Sequence, residues 1–396
     1  MQNEWKTAWR YLPINFDTTI GVMENVTQRV FYMNNITGSK VRIRFSNLYS
    51  DEALILDKVT IGKVDKNSPD VIKSFAKITL LGREVIELAP KEECDSDELY
   101  FPITSQEDIV LSVYIKEKTK IKSVCETWSA RTWKSVFGKH GDYTLEQKFE
   151  ESNSQEVFEI LSFDEHNANV AAAITSIQIL TNQEVKTIAL FGDSITHMSY
   201  YSDAFTEQLY QKFPGKLSVV NAGIGGNRLL SDYSYVEEIP GNGTIFGRPG
   251  IDRFEQDVYC DGEKEYVIIL IGINDFTHPY ALNHPNEIIT IEAYIDGLRQ
   301  LIQTAHSHNS EVILGTLTPF RGENMEWFEK VEELRQKANT WIREQRTADG
   351  IADFDKAVQQ PENPAYMLDD CHLGDGLHPN ERGGRLMANA FSTEWF

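Results

Sequence analysis

Four short stretches in the second half of the chain hold residues able to do chemistry together. The first is Gly192-Asp193-Ser194-Ile195-Thr196, which follows the apolar run Thr187–Phe191. A glycine just past a strand allows a tight turn, and a serine at the next helix start sits among N–H groups without helical partners. Such a serine can offer its hydroxyl to a substrate while its own N–H faces an anion. The same position also suits an ordinary helix cap, so these residues alone leave both readings open. They do not form a G-x-S-x-G elbow, because the second glycine is missing.

The second stretch, Asn221-Ala222-Gly223-Ile224-Gly225-Gly226-Asn227-Arg228, follows the apolar run Leu217–Val220. Its glycines let the backbone approach a ligand and present N–H donors, or simply make a flexible turn. It lacks the G-x-G-x-x-G spacing of a dinucleotide site and has no phosphate-cradling lysine. The third, Ile271-Gly272-Ile273-Asn274-Asp275, ends the run Tyr266–Ile271. Asn274 can aim an amide donor into the same crevice or close an Asx-turn, and Asp275 reads as a loop anchor.

The fourth stretch is Asp375-Gly376-Leu377-His378-Pro379-Asn380. A carboxylate three residues before a histidine can hold its Nδ1–H, which leaves Nε2 to take a proton from a hydroxyl. A structural histidine in a surface turn is the alternative. Asp369-Asp370-Cys371-His372 repeats the spacing upstream. The later pair is preferred because Pro379 and Asn380 lead into a helical stretch, Arg382 to Phe391, that can anchor its loop. Together the four stretches supply a nucleophile, a base with an orienting acid, and two kinds of oxyanion donor. Chance would rarely furnish that complete set.

The elements that must position these residues show two rhythms. From about residue 184, the runs above are joined by Val312–Thr316 and Ile351–Phe354, and helical patterns at Met198–Phe213, Glu287–His306 and Met325–Arg346 separate most of them. That alternation predicts a parallel sheet covered on both faces, with sites beyond the carboxyl ends of its strands. Before about residue 180 the pattern is β. Val41–Ser46 and Val59–Val64 alternate apolar and polar, and Ile109–Ile115 reads as a buried strand. Short strands with frequent turns predict a β-sandwich or jelly roll. The expected domains are therefore 1–180 and 184–396.

Composition bounds the partners. The chain has 396 residues, and 38 Lys+Arg against 60 Asp+Glu give a net charge of −22. This length suits two domains, and 41% hydrophobic residues are enough to build their cores. A strongly negative surface repels nucleic acid and anionic membranes, so neither is an expected partner. Cys94, Cys125, Cys260 and Cys371 form no C-x-x-C pair, and no H-E-x-x-H or His/Cys cluster suggests a metal. No cofactor is expected. The first residues lack a signal-peptide pattern and no run of about 18 apolar residues occurs, so a cytoplasmic location is expected.

Gly192-Asp193-Ser194, the Gly225 region, Gly272-Ile273-Asn274-Asp275 and Asp375-Gly376-Leu377-His378 resemble, in order and spacing, the four blocks of the SGNH (GDSL-type) hydrolases. Asn221–Arg228, Leu317-Thr318-Pro319-Phe320 and Gly38–Asn47 are similar to a two-domain bacterial subgroup with an amino-terminal β-rich domain. The resemblance implies a flavodoxin-like α/β/α sandwich over 184–396. It also implies a serine ester hydrolase acting through an acyl-enzyme, with Ser194 as nucleophile, His378 as base and Asp375 as its partner. The Ser194 N–H, the Gly225 N–H and the Asn274 side chain would be the oxyanion donors, with Gly226 an alternative to Gly225. His197 departs from the acidic residue that many relatives carry after the threonine.

Short acyl esters are the expected substrates, including acetyl groups on carbohydrate, since related two-domain enzymes include such deacetylases. A lipase or lysophospholipase is the alternative within the class, and a carbohydrate-binding protein with an inactive hydrolase half is the alternative outside it. Trp128, Trp133 and His140 lie in a stretch between the last clear strand and the α/β half, and are read as plugging a domain interface rather than stacking on a sugar, with the stretch bordering the active-site mouth. Arg228, Arg253 and His278 are left without a role.

Overall fold

The computed structural model describes residues 3–152, 154–158, 168–321, 326–392 and 394–396. It separates into two units, Met1–Val185 with Tyr210–Ser218, and Lys186–Leu209 with Val219–Phe396. The first unit is built on two five-stranded antiparallel sheets. One runs Glu4–Arg10, Ile174–Thr181, Gly38–Ser46 and Leu99–Ile103, with Glu93–Asp95 also pairing the third strand. The other runs Trp133–Lys139, Val26–Tyr32, Ile109–Ile115, Lys58–Asp65 and Ser68–Lys77. All three expected strands lie inside these sheets. Their apolar positions line up across the ladder: Leu111 faces Val30 on one side and Ile61 on the other, and all three are buried.

Trp133 opens a strand of this unit rather than lying in a connecting stretch. Its ring is 1% exposed and packs edge-on against Trp9 and Tyr11, so it is no stacking surface for a sugar.

The second unit carries a five-stranded sheet. Its strands are β1 (Lys186–Gly192), β2 (Leu217–Gly223), β3 (Tyr266–Leu270), β4 (Glu311–Gly315) and β5 (Gly350–Ala352). The order is β2-β1-β3-β4-β5, and the β1–β3, β3–β4 and β4–β5 ladders are parallel. This is the flavodoxin-like order, with a switch point where the chain leaves β1 for one side and returns to β3 on the other. Leu190, Ile268 and Ile313 are all buried, as continuous apolar strands between two helical layers must be.

The helices are α1 (Ser194–His197), α2 (Tyr200–Lys212), α3 (Gly250–Tyr259), α4 (Ile273–Ala281), α5 (Ile291–Ser307), α6 (Phe328–Glu344), α7 (Phe354–Val358) and α8 (Glu381–Ala388). The helix expected from Met325 begins at Phe328, with Trp327 at its cap, and Met325 itself lies outside the described residues. Caps fix several starts: Thr290 accepts the Ala293 N–H before α5, and Asn380 accepts those of Arg382 and Gly383 before α8. α2, α7 and the segment after α8 pack together through Tyr201, Phe205, Phe354 and Phe391. α3, α4, α5 and α6 form the other layer, joined by contacts such as Phe276 with Tyr294.

Arg335 of α6 is wholly buried. It donates to Asp355 of α7 (2.5 Å), to Glu332 (2.7 Å) and to the Leu317 carbonyl (3.0 Å). Asp355 keeps a second partner in Arg343 (2.7 Å). Removing Arg335 takes the donor from Asp355 Oδ1 and the countercharge from Glu332, and breaking a buried charged network is costly. Arg335→Met is expected to destabilise the α/β unit by about 3 kcal/mol in urea unfolding. Arg299→Met, which breaks an exposed pair with Asp296, should cost less than about 1 kcal/mol. Equal costs would contradict the assignment of Arg335 to the buried network.

Candidate active site

Ser194 is the first residue of α1, directly beyond β1. The turn that brings it there needs Gly192, since a Cβ would lie 2.3 Å from both the Leu270 carbonyl oxygen and Thr196 Oγ1. Asp193 caps the turn, its Oδ1 accepting the Ile195 N–H at 3.1 Å. Three side chains then form a row. Ser194 Oγ lies 2.8 Å from His378 Nε2, and His378 Nδ1 lies 2.5 Å from Asp375 Oδ2. With Nδ1–H donated to the carboxylate, Nε2 is the acceptor for the serine hydroxyl. Asp375 Oδ1 also accepts the N–H groups of Leu377 (2.9 Å) and His378 (3.0 Å). Burial pushes the Asp375 carboxyl up, but the His378 ring and these N–H groups outweigh it and bring it down to about 2.

The upstream D-x-x-H pair is placed differently. His372 Nδ1 accepts the N–H groups of Gly374 (2.9 Å) and Gly376 (3.2 Å), shaping the loop that carries Asp375. Asp369 takes the Gln360 amide at 2.8 Å. Asn380 completes the loop by donating to the carbonyls of Asp370 and His372, both at 3.0 Å, while capping α8. His372 therefore acts as scaffold for the loop, a role the spacing alone does not reveal.

The donors converge from β2 and β3. The Ile224 N–H donates to the Gly192 carbonyl at 3.1 Å, tying the glycine loop to the serine's strand. Among the described residues, the N–H groups of Ser194 and Gly225 donate to no protein acceptor. Gly225 lies beside α1, where a Cβ would be 3.4 Å from His197 Nδ1, whereas Gly226 is turned against Phe246. Asn274 sits in the first turn of α4 and gives one amide hydrogen to the Asn227 carbonyl at 3.0 Å. Its second amide hydrogen remains available. Asp275 is a loop anchor, accepting the N–H groups of Leu229 (2.6 Å) and Leu230 (2.9 Å).

Arg253 had no role in the sequence reading, and the structure supplies one. Its guanidinium is buried and donates to the Gly192 carbonyl at the end of β1 and the Ala222 carbonyl in β2, both at 2.9 Å. It also donates to Asn227 Oδ1 (2.9 Å) and Asp257 (3.0 Å), and lies 4.2 Å over the Phe191 ring. One side chain thus ties the serine's strand to the glycine loop. The signal was present in α3, where Gly250, Arg253, Phe254 and Val258 form the buried stripe with a charge inside it. Arg228 is likewise buried and paired, at 2.5 Å, with Glu287.

Burial pushes the Asp193 carboxyl up to about 7, against the Ile195 N–H and the charges of His378 and Arg253. It pushes Asp275 up to about 6 despite its two backbone donors. Among the described residues, no three His, Cys, Asp or Glu side chains cluster as metal ligands would. No described helix is long and apolar enough to cross a membrane.

Fold and site together define an ester hydrolase of the α/β class. Residues 190–386 match the GDSL-like Lipase/Acylhydrolase family, and the α/β unit belongs to it, with a β-rich unit ahead. Similar solved structures include an acetylxylan esterase from Geobacillus stearothermophilus, at 20% identity and a TM-score of 0.40, over 53% of this chain and 94% of that one. A GDSL-like lipase from Bacteroides thetaiotaomicron is 17% identical, with a TM-score of 0.36 over 52% of this chain and 85% of its own. The acetyl xylan esterase AlAXEase is 23% identical, with a TM-score of 0.39 over 52% and 96%. No curated protein matches the chain.

The Asp193 shift has a thermodynamic consequence. An aspartate that titrates near 3.9 when unfolded and near 7 when folded favours the fold fully below pH 4. That contribution is lost as pH rises through 7. Asp193→Asn keeps an acceptor for Ile195 and removes the titration. The variant should therefore gain thermal stability relative to the parent between pH 4 and pH 8, by a few kcal/mol at most. A difference in Tm that stays constant across this range would contradict a carboxyl with a raised pKa.

Proposed function

We propose that Ser194 attacks the ester carbonyl carbon while His378 Nε2 removes its proton, with Asp375 holding the imidazolium that forms. The N–H groups of Ser194 and Gly225 and the free amide hydrogen of Asn274 receive the negative oxygen. His378 then returns its proton to the leaving alcohol as the carbon–oxygen bond breaks, leaving an acyl-Ser194. Water, deprotonated by the same imidazole, attacks that ester and frees the carboxylic acid and the serine. The observation that carries this reading is the unbroken row from Ser194 Oγ through His378 to Asp375, at 2.8 and 2.5 Å.

The substrates are short acyl esters, acetyl groups on a hydroxylated alcohol such as a sugar among them. The described exposed surface of the α/β unit supports this, since its large exposed apolar side chains are Tyr233, Tyr235 and Ile288. A long-chain lipase needs a broader aliphatic rim.

Ser194→Ala is expected to lose turnover of p-nitrophenyl acetate while folding normally. Asn274→Ala should lower kcat about 10²–10³-fold with a smaller change in KM. Retained activity in the first variant, or an effect on KM alone in the second, would refute these roles. The parent enzyme should prefer acetate to palmitate esters, and the reverse order would favour the lipase reading.

A further inference from the structure

Phe246 and His278 form a ring pair that bridges the two sources of oxyanion donors. On one side the Phe246 ring lies directly on Gly226, where a Cβ would stand 2.1 Å from its Cδ1. Gly226 has φ of +69°, so glycine is required both for the turn and for the ring's approach. On the other side the Phe246 ring centre lies 5.2 Å from the His278 imidazole, tilted by 51°. His278 follows Asn274 by four residues in α4, so the two share a helix face about 6 Å apart along the axis. The pair therefore spans from the neighbour of Gly225 to the helix that carries Asn274.

The pair is held in place. Asn227 Nδ2 donates to the carbonyls of Phe246 (2.6 Å) and Arg248 (2.8 Å), while Asn227 also meets Arg253 and Asn274. The same asparagine thus fixes the ring and the donor loop. Phe246 and His278 are each of intermediate burial, neither core nor fully exposed. Burial, and then the neighbouring Arg228 charge, hold the His278 imidazole down to about 4 against the pull of Glu287. One turn beyond Asn274, it is an uncharged ring at neutral pH.

The layers of the fold decide which part of the ester this wall meets. His378 enters from the loop before α8, whose Gly384 sits against the Tyr200 backbone at the start of α2. His378 must reach the leaving oxygen to protonate it, so the alcohol departs on the α2/α8 side. Phe246 and His278 stand with α4 and the opposite layer. With the carbonyl oxygen in the donor nest and the alcohol toward His378, the acyl substituent is left the α4 side, where the ring pair stands.

We infer that Phe246 and His278 form the acyl-side wall of the site and restrict the substrate to short acyl groups. This rests on the Ser194 mechanism above and adds the residues that set chain length. The test compares kcat/KM for p-nitrophenyl acetate, butyrate and octanoate in the parent, Phe246→Ala and His278→Ala, with Ser194→Ala alongside. One methylene in an apolar pocket changes specificity roughly 10–200-fold. Each wall variant is therefore expected to raise the butyrate-to-acetate or octanoate-to-acetate ratio at least about tenfold. Should Phe246→Ala lose its near-ultraviolet circular dichroism, His278→Ala alone decides.

Ratios within twofold of the parent would overturn the wall, as would a change confined to the alcohol when ethyl and p-nitrophenyl acetates are compared. Activity surviving in Ser194→Ala would overturn the mechanism instead, so the two failures are distinguishable.

Discussion

The site depends on a buried cation that joins strand ends to a loop. Ser194 follows β1 and Gly225 follows β2, and beyond the pairing of those strands and the Ile224-to-Gly192 hydrogen bond a buried side chain locks the two turns together. Arg253 does so by donating to Gly192 and Ala222 carbonyls and to Asn227 at once, each at 2.9 Å. Burying a guanidinium is costly unless its donors are met, and here carbonyls, an amide oxygen and Asp257 meet them. The stabilisation is spent on position: donors fixed before the reaction need no rearrangement when the oxyanion forms. Asn227 extends the same restraint to Asn274 and Phe246, so serine turn, donor loop and ring pair share one hydrogen-bonded frame.

Environment separates the roles of three aspartates near the site. Asp375, at the surface, receives His378 and two backbone N–H groups and stays ionised to about pH 2, as the partner of an imidazolium must. Asp193 and Asp275 are fully buried, and desolvation raises both. Asp193 shapes the serine turn and Asp275 clamps the chain beyond the glycine loop. All of this gathers at a topological switch point, where β2 and β3 diverge on either side of β1 and leave a crevice between their loops.

Much of this was legible in the sequence because the signals are local. The runs that became β1 to β5 are apolar and end in glycine or polar turns, and each candidate side chain stands within a few residues of such an end. The less legible parts are those where polar side chains do structural work. Strand Val26–Tyr32 escapes an alternation search because Gln28 and Arg29 are buried in it, bonded to the carbonyls of Val170, Tyr143 and Glu146. His372 looked like a rival base because spacing cannot distinguish an imidazole that accepts backbone N–H groups from one that takes a proton. Phe246 is 20 residues past Gly226, and only the fold returns its ring to that glycine.

The central claim is that one hydroxyl, activated by one imidazole, carries the chemistry. Intact-protein mass spectrometry after treatment with a fluorophosphonate tests it most directly, with peptide mapping to locate the adduct. The account predicts a single adduct on Ser194, absent in His378→Ala at matched times. No adduct, or labelling at another serine with Ser194 untouched, would contradict it.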